Sequence, residues 1–162
     1  MRVLLLLSVL IYACSGNGNR QADEAENIEG LKVIEYAKYK GHYLSRDNGE
    51  FFGSSYGDQG KISVVQEIGE REIFKIISYN DQPETYAIES TGVKDRYLSV
   101  DVAAVILTRT NPGGRVKIHI RIAGYERFNI TRLADSTYAL DSVHFPGRYL
   151  GMSRDKVQAF NR

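Results

Sequence analysis

Two stretches of this chain are nearly the same. Thr85-Tyr86-Ala87-Ile88-Glu89-Ser90, followed by Arg96-Tyr97-Leu98, returns 52 positions later as Thr137-Tyr138-Ala139-Leu140-Asp141-Ser142, followed by Arg148-Tyr149-Leu150. A weaker copy of the second half, His42-Tyr43-Leu44-Ser45, stands 54 positions before Tyr97-Leu98-Ser99. At the same spacing of 54, Ile62, Val64, Ile68 and Phe74 correspond to Val116, Ile118, Ile122 and Phe128. One structural unit is therefore used three times, and a repeat of this period constrains the fold more than any composition does.

From Leu31 onward there is no helical periodicity. Runs of four to seven residues rich in Ile, Val, Tyr and Phe are bounded by Gly, Asn, Asp or Pro, which is an all-β pattern. Asp47-Asn48-Gly49 and Asn111-Pro112-Gly113-Gly114 are the clearest turns. Candidate strands include Leu31 to Lys38, Glu50 to Ser54, Val105 to Arg109 and Lys156 to Phe160. Three units of short antiparallel strands about a pseudo-threefold axis predict a β-trefoil over residues 31–162, a six-stranded barrel closed underneath by three hairpins. The Tyr-Leu pairs are expected in its core. The repeat calls for one more strand after Phe160, so the closing strand is unaccounted for. Either an edge is left unpaired beside the first strand and is open to a partner's strand, or the preceding linker supplies the missing hydrogen bonds, or the sequence is incomplete at its C-terminus.

The N-terminus reads differently. Met1-Arg2 and the apolar run Val3 to Tyr12 are too short to span a bilayer, and with small residues at Ala13, Ser15 and Gly16 they predict a signal peptide over residues 1–16. Residues 17–30 read as a flexible linker. The chain is thus expected to be secreted and extracellular, with 20 Lys and Arg balancing 20 Asp and Glu in the mature form. Cys14 is the only cysteine, so no intrachain disulfide is available. Ile11-Tyr12-Ala13-Cys14 also resembles a bacterial lipobox, and membrane attachment is expected only if Cys14 is lipidated.

Leu140 to Leu150, with Arg127-Phe128-Asn129-Ile130 before it, resembles the C-terminal part of the interleukin-1 family: Ser142, Val143, Pro146, Tyr149 and Leu150 fit that family's pattern, while Leu140 replaces its usual Phe. The resemblance runs from about Glu72 to Phe160. Gly41-His42-Tyr43-Leu44-Ser45 is similar to fibroblast growth factors, and Arg96-Tyr97-Leu98-Ser99 with Arg148-Tyr149-Leu150-Gly151 to fascins. All three share the barrel. The cytokine resemblance implies an extracellular signalling ligand whose partner is the immunoglobulin-like ectodomain of a cell-surface receptor. The alternatives are a secreted or lipid-anchored module binding glycan or extracellular matrix, and a secreted effector or venom component on a cytokine-like scaffold.

Chemistry is sparse. His42, His119 and His144 lie in different units without metal-ligand spacing, and there is no nucleophile elbow, phosphate loop or dinucleotide fingerprint. Neither enzymatic activity, cofactor nor metal is expected. Glu70 and Glu72 read as solvated strand or turn positions. The one constellation with physical content is Arg115, Lys117, His119 and Arg121, alternating with Val116, Ile118, Ile120 and Ile122. A strand places those cations on one face about 7 Å apart, suited to an acidic receptor face or a sulfated glycan. Nucleic acid is not expected, because the net charge is near zero and the chain is read as exported. Asn129-Ile130-Thr131 is the one glycosylation sequon. Strand alternation sets Asn129 opposite in face to Phe128 and Ile130, leaving it open to a glycan.

Overall fold

The computed structural model describes residues 9–13, 28–47, 60–79, 82, 84–101, 114–119, 124–152 and 157–161. The strands, in chain order, are β1 (Val9–Ala13), β2 (Gly30–Tyr36), β3 (Tyr43–Arg46), β4 (Gly60–Val65), β5 (Ile73–Ser78), β6 (Thr85–Ser90), β7 (Tyr97–Asp101), β8 (Gly114–His119), β9 (Arg127–Arg132), β10 (Tyr138–Ser142), β11 (Arg148–Met152) and β12 (Val157–Asn161). A 3₁₀ turn, Gly124–Glu126, leads into β9. Among the described residues no helix is long and apolar enough to cross a membrane. The expected strands Glu50 to Ser54 and Val105 to Arg109 lie outside the described residues, as does Cys14.

The pairings form a closed ring, β1-β2-β5-β6-β9-β10 and back to β1, antiparallel throughout. Three hairpins, β3-β4, β7-β8 and β11-β12, close one end of it and join each other through β4-β8 and β8-β12. This is the β-trefoil the repeat predicts. Closure also disposes of exposed sheet edges in the ring. The place of the unaccounted strand is taken by β1, which comes from the apolar N-terminal run and not from the linker after it. On the near side of the linker, Ile28 already packs against the core and Gly30 opens β2.

The core is built from threefold-related positions. Ile34, Ile88 and Leu140 are fully buried, as are Leu44, Leu98 and Leu150, and so are Phe74 and Phe128. Each such side chain removed from water contributes about 1.5–3 kcal/mol. In β5, Phe74 and Ile76 are buried around an exposed Lys75, the alternation of a strand with one wet face. The aromatic members of the Tyr-Leu pairs are less uniform than expected. Tyr97 is buried, but Tyr43 and Tyr149 are only half-buried; of the other two repeated tyrosines, Tyr138 is buried and Tyr86 half-buried. The Leu side chain fills the layer while the Tyr ring lies at its margin, opposite an acid across the strands: Glu35 opposite Tyr43, Glu89 opposite Tyr97, Asp141 opposite Tyr149.

Those acids have a local task. Glu35 Oε1 accepts a hydrogen bond from Gly41 N at 2.5 Å, Glu89 Oε1 from Asp95 N at 3.3 Å, and Asp141 Oδ1 from Gly147 N at 3.0 Å. The donors are the threefold-related residues with left-handed backbone, at φ 76°, 57° and 80°. A second such set, Gly30, Glu84 and Ser136, stands at or just before the start of the barrel strands at φ 91°, 63° and 61°. Left-handed backbone costs an L-residue about 1–2 kcal/mol, and here the same turn is imposed three times by the same carboxylate contact.

Candidate functional site

The cationic strand is β8, within the hairpin layer. Val116 and Ile118 are buried while Lys117 and His119 are half-buried, so the expected alternation of faces holds. Its neighbours change the charge of that face. Lys117 stands opposite Lys61 of β4 on one side and the buried Ser99 of β7 on the other. Arg115 is placed by register opposite Asp101 and Gln158. His119 leaves the row: its Nδ1 is 3.1 Å from Oε1 of Glu126, a carboxylate only 1% exposed, at an angle too poor for a hydrogen bond. A buried carboxylate requires such a partner. Arg121 lies outside the described residues. Directly opposite residues share a face, so what the structure brings together is Lys117 with Lys61, a lysine that alternation within one strand does not find.

Asn129 lies on β9 between β6 and β10, opposite Thr85 and Asp141. It is half-buried and its Oδ1 accepts a hydrogen bond from Thr85 Oγ1 at 3.4 Å. Phe128 and Ile130 turn inward and Thr131 is exposed, as alternation requires. Two of the residues shared with the cytokine pattern are structural. Ser142 is fully buried, with its Oγ accepting from Phe145 N at 3.3 Å, and Leu150 is core, while Val143 and Tyr149 are half-buried and Pro146 is exposed.

The first unit carries a feature that the sequence reading did not single out. An open groove of about 970 Å³ lies between β3, the end of β4 and the turn that follows it, with His42, Arg46, Glu67, Glu70 and Arg71 on its walls. Ile68 at its rim is 54% exposed, although it belongs to the apolar set that the sequence repeats at a spacing of 54. The turn is held from beneath. Glu72, read from sequence as solvated, is 5% exposed and accepts from Ser45 Oγ at 2.5 Å and from Gly69 N at 2.6 Å. Arg46 N donates to Arg71 O at 3.1 Å, and the His42 and Gln66 side chains meet at 3.2 Å across the rim. Arg46 itself is buried, its guanidinium packed so closely against Gly92 that a Cβ there requires the Arg46 side chain to shift. Glu70 is exposed, as expected. The signal that finds Glu72 is the repeat itself: Glu72 and Glu126, 54 apart, each precede a buried Phe by two residues, and both are buried.

Among the described residues no three His, Cys, Asp or Glu side chains gather as metal ligands. No protein-family model matches the sequence, and no curated relative matches it. Solved structures do resemble it in shape. The chain of the PSL1a–E64 complex superposes with a TM-score of 0.63 at 13% identity, over 83% of this chain and 44% of that one. The designed 3-fold symmetric protein ThreeFoil superposes with a TM-score of 0.55 at 19% identity, over 82% of this chain and 86% of that one. At such identities the likeness establishes the fold alone: the chain is an all-β protein with the threefold pseudo-symmetry of a trefoil. It spans less than half the length of the PSL1a chain.

Proposed function

We propose that this protein is a secreted, non-enzymatic binding protein, an extracellular signalling ligand of the interleukin-1 type that engages the immunoglobulin-like ectodomain of a cell-surface receptor. The observation that carries the reading is Ile68, a large apolar side chain held in water at the rim of a groove and ringed by Glu67, Glu70 and Arg71. An apolar anchor inside a charged rim is the anatomy of a protein contact, in which a few buried anchors supply most of the affinity. The buried carboxylate beneath keeps that rim in place without the partner, so little ordering remains to be done on binding.

The test is capture of extracellular proteins by the exported protein, against a panel rich in immunoglobulin-like ectodomains, for wild type and Ile68→Asp. The expected result is an ectodomain recovered by wild type and weakened at least about tenfold by Ile68→Asp, a hot-spot effect. Equal recovery by both removes the groove from the reading. Recovery of polysaccharide alone sinks the cytokine reading and favours the second one, a glycan- or matrix-binding module, which draws on the Lys61 and Lys117 pair. In that case heparin retention at low salt is lost in the Lys61→Ala, Lys117→Ala double variant.

A further inference from the structure

The barrel ring alternates two kinds of strand. β5 lies between β2 and β6, and β9 lies between β6 and β10, each antiparallel to both neighbours. Threefold symmetry requires a third bridging strand between β10 and β2. That place is held by β1, again antiparallel to both, with Val9 opposite Tyr36, Ile11 opposite Ile34, Ala13 opposite Lys32, and Val9 also opposite Tyr138. Its pairing with β2 extends over five positions, as does that of β5 with β6.

Residues 9–13 also lie inside the segment that reads as a signal peptide. Cleavage after Ser15 or Gly16 removes the whole strand. The backbone of β2 from Lys32 to Tyr36 then loses its partner on that side, beneath side chains that are all at most 5% exposed in the closed barrel. We propose that the slot between β2 and β10 is a docking site for an extended strand of a partner protein, which in the exported protein takes the position β1 holds in the unprocessed chain. The inference rests on the export proposed above.

The slot specifies its occupant. The strand runs antiparallel to β2 over at least five residues, since that is the length of ladder left open. Main-chain hydrogen bonds along such an edge give affinity, and alternate side chains give selectivity. The residues facing Ile34 and Tyr36 must be apolar, because both side chains belong to the core cluster and are 0% and 4% exposed. A charged residue at either position would be buried there without a partner. Proline is excluded wherever its nitrogen would face β2, because it brings no N–H to the ladder. The sequence Val-Leu-Ile-Tyr-Ala of β1 meets these terms, which is how the chain's own leader fits the place.

The test uses the protein as exported by its host cell, its N-terminus fixed by intact mass. The probe is a synthetic peptide of the Val9–Ala13 sequence with solubilising lysines at its ends. The control peptide carries Asp in place of Val9 and Ile11. The expected N-terminus is Gly16 or Asn17, with fast amide exchange at residues 32–36 that the probe slows by about tenfold or more. Probe, but not control, also raises the melting temperature with concentration. An N-terminus upstream of Val9, retention of the chain in the cell, or exchange at residues 32–36 that the probe leaves unchanged each overturns the proposal. Peptide binding without any captured ectodomain leaves the slot standing and removes the receptor reading. Ectodomain capture without peptide binding does the reverse.

Discussion

Replacing Glu72 by Ala tests whether the groove has a built floor. The carboxylate receives two hydrogen bonds, from the Ser45 hydroxyl and the Gly69 amide, and is itself almost wholly removed from water. Hydrogen bonds to a charged acceptor contribute about 1.5–3 kcal/mol each. In the Ala variant the Gly69 N–H regains water, since Gly69 is exposed, whereas the Ser45 hydroxyl, 3% exposed, is left with only the long contact to Arg46 O at 3.5 Å. Removing the desolvated carboxylate offsets part of the loss, leaving a net cost of about 2–3 kcal/mol. For a domain of this size the melting temperature falls by about 4–10 °C and the urea midpoint by about 1 M. Glu72→Gln keeps an acceptor for Ser45 but turns an amide N–H₂ toward the Gly69 N–H, so it falls between. Glu70→Ala, on the exposed rim, stays within about 0.5 kcal/mol of wild type. Urea unfolding gives the energies, and amide exchange at Gly69 shows whether the turn has loosened. If Glu72→Ala unfolds at the wild-type midpoint with Gly69 exchange unchanged, the carboxylate does not hold the turn and Ile68 is not pre-positioned.

Two further perturbations probe the repeated turns. Gly41→Ala and Gly147→Ala each lower stability by about 1–2 kcal/mol, the cost of left-handed backbone alone, because a Cβ at either position meets nothing within 4 Å; Asn at the same positions costs less. Urea midpoints that match wild type for both Ala variants would remove the strain argument, including at Asp95, which already holds φ 57°. In the acid range, hydrogen bonds from the Thr137 hydroxyl and then its backbone N–H hold the Asp135 carboxyl below its ordinary value. Its contribution to stability is present above the unfolded-state carboxylate range, near pH 4, and is lost as pH falls through the lower folded value. Asp135→Asn therefore flattens the acid limb of a melting-temperature profile, and an unchanged limb refutes it.

Much of the fold is legible in the repeat because the repeated letters are the buried ones. Ile34, Ile88 and Leu140, then Leu44, Leu98 and Leu150, recur at the trefoil spacing and each lies in the core. The loop geometry is present in the same letters and harder to read. Glu35, Glu89 and Asp141 look like solvent-facing ends of strands, and only the turn that returns toward them shows that each carboxylate caps a backbone amide. β1 is illegible for another reason: its residues satisfy two patterns, a leader's apolar run and a strand of the ring, and nothing in a run of apolar residues decides between them.

The site is less legible, since its neighbours come from distant parts of the chain and the repeat hides differences inside likeness. Alternation along β8 puts its cations on one face, but the lysine beside Lys117 arrives from β4 and the acid that takes His119 arrives from a turn. The two buried glutamates show how small a difference is enough. Glu126 has the His119 imidazole within reach; at the place equivalent to His119 in the first unit, 54 positions earlier, stands Val65, which offers no polar group. Glu72 turns instead to Ser45 and the Gly69 amide, and the turn that holds Ile68 is drawn down onto the barrel. Where one unit sets a histidine beside its buried acid and the other a valine, the first acid lies against an imidazole and the second anchors a loop. Introducing that imidazole by Val65→His in the first unit is therefore expected to draw Glu72 away from Gly69 and loosen the groove, with amide exchange at Gly69 as the measure and unchanged exchange as the refutation.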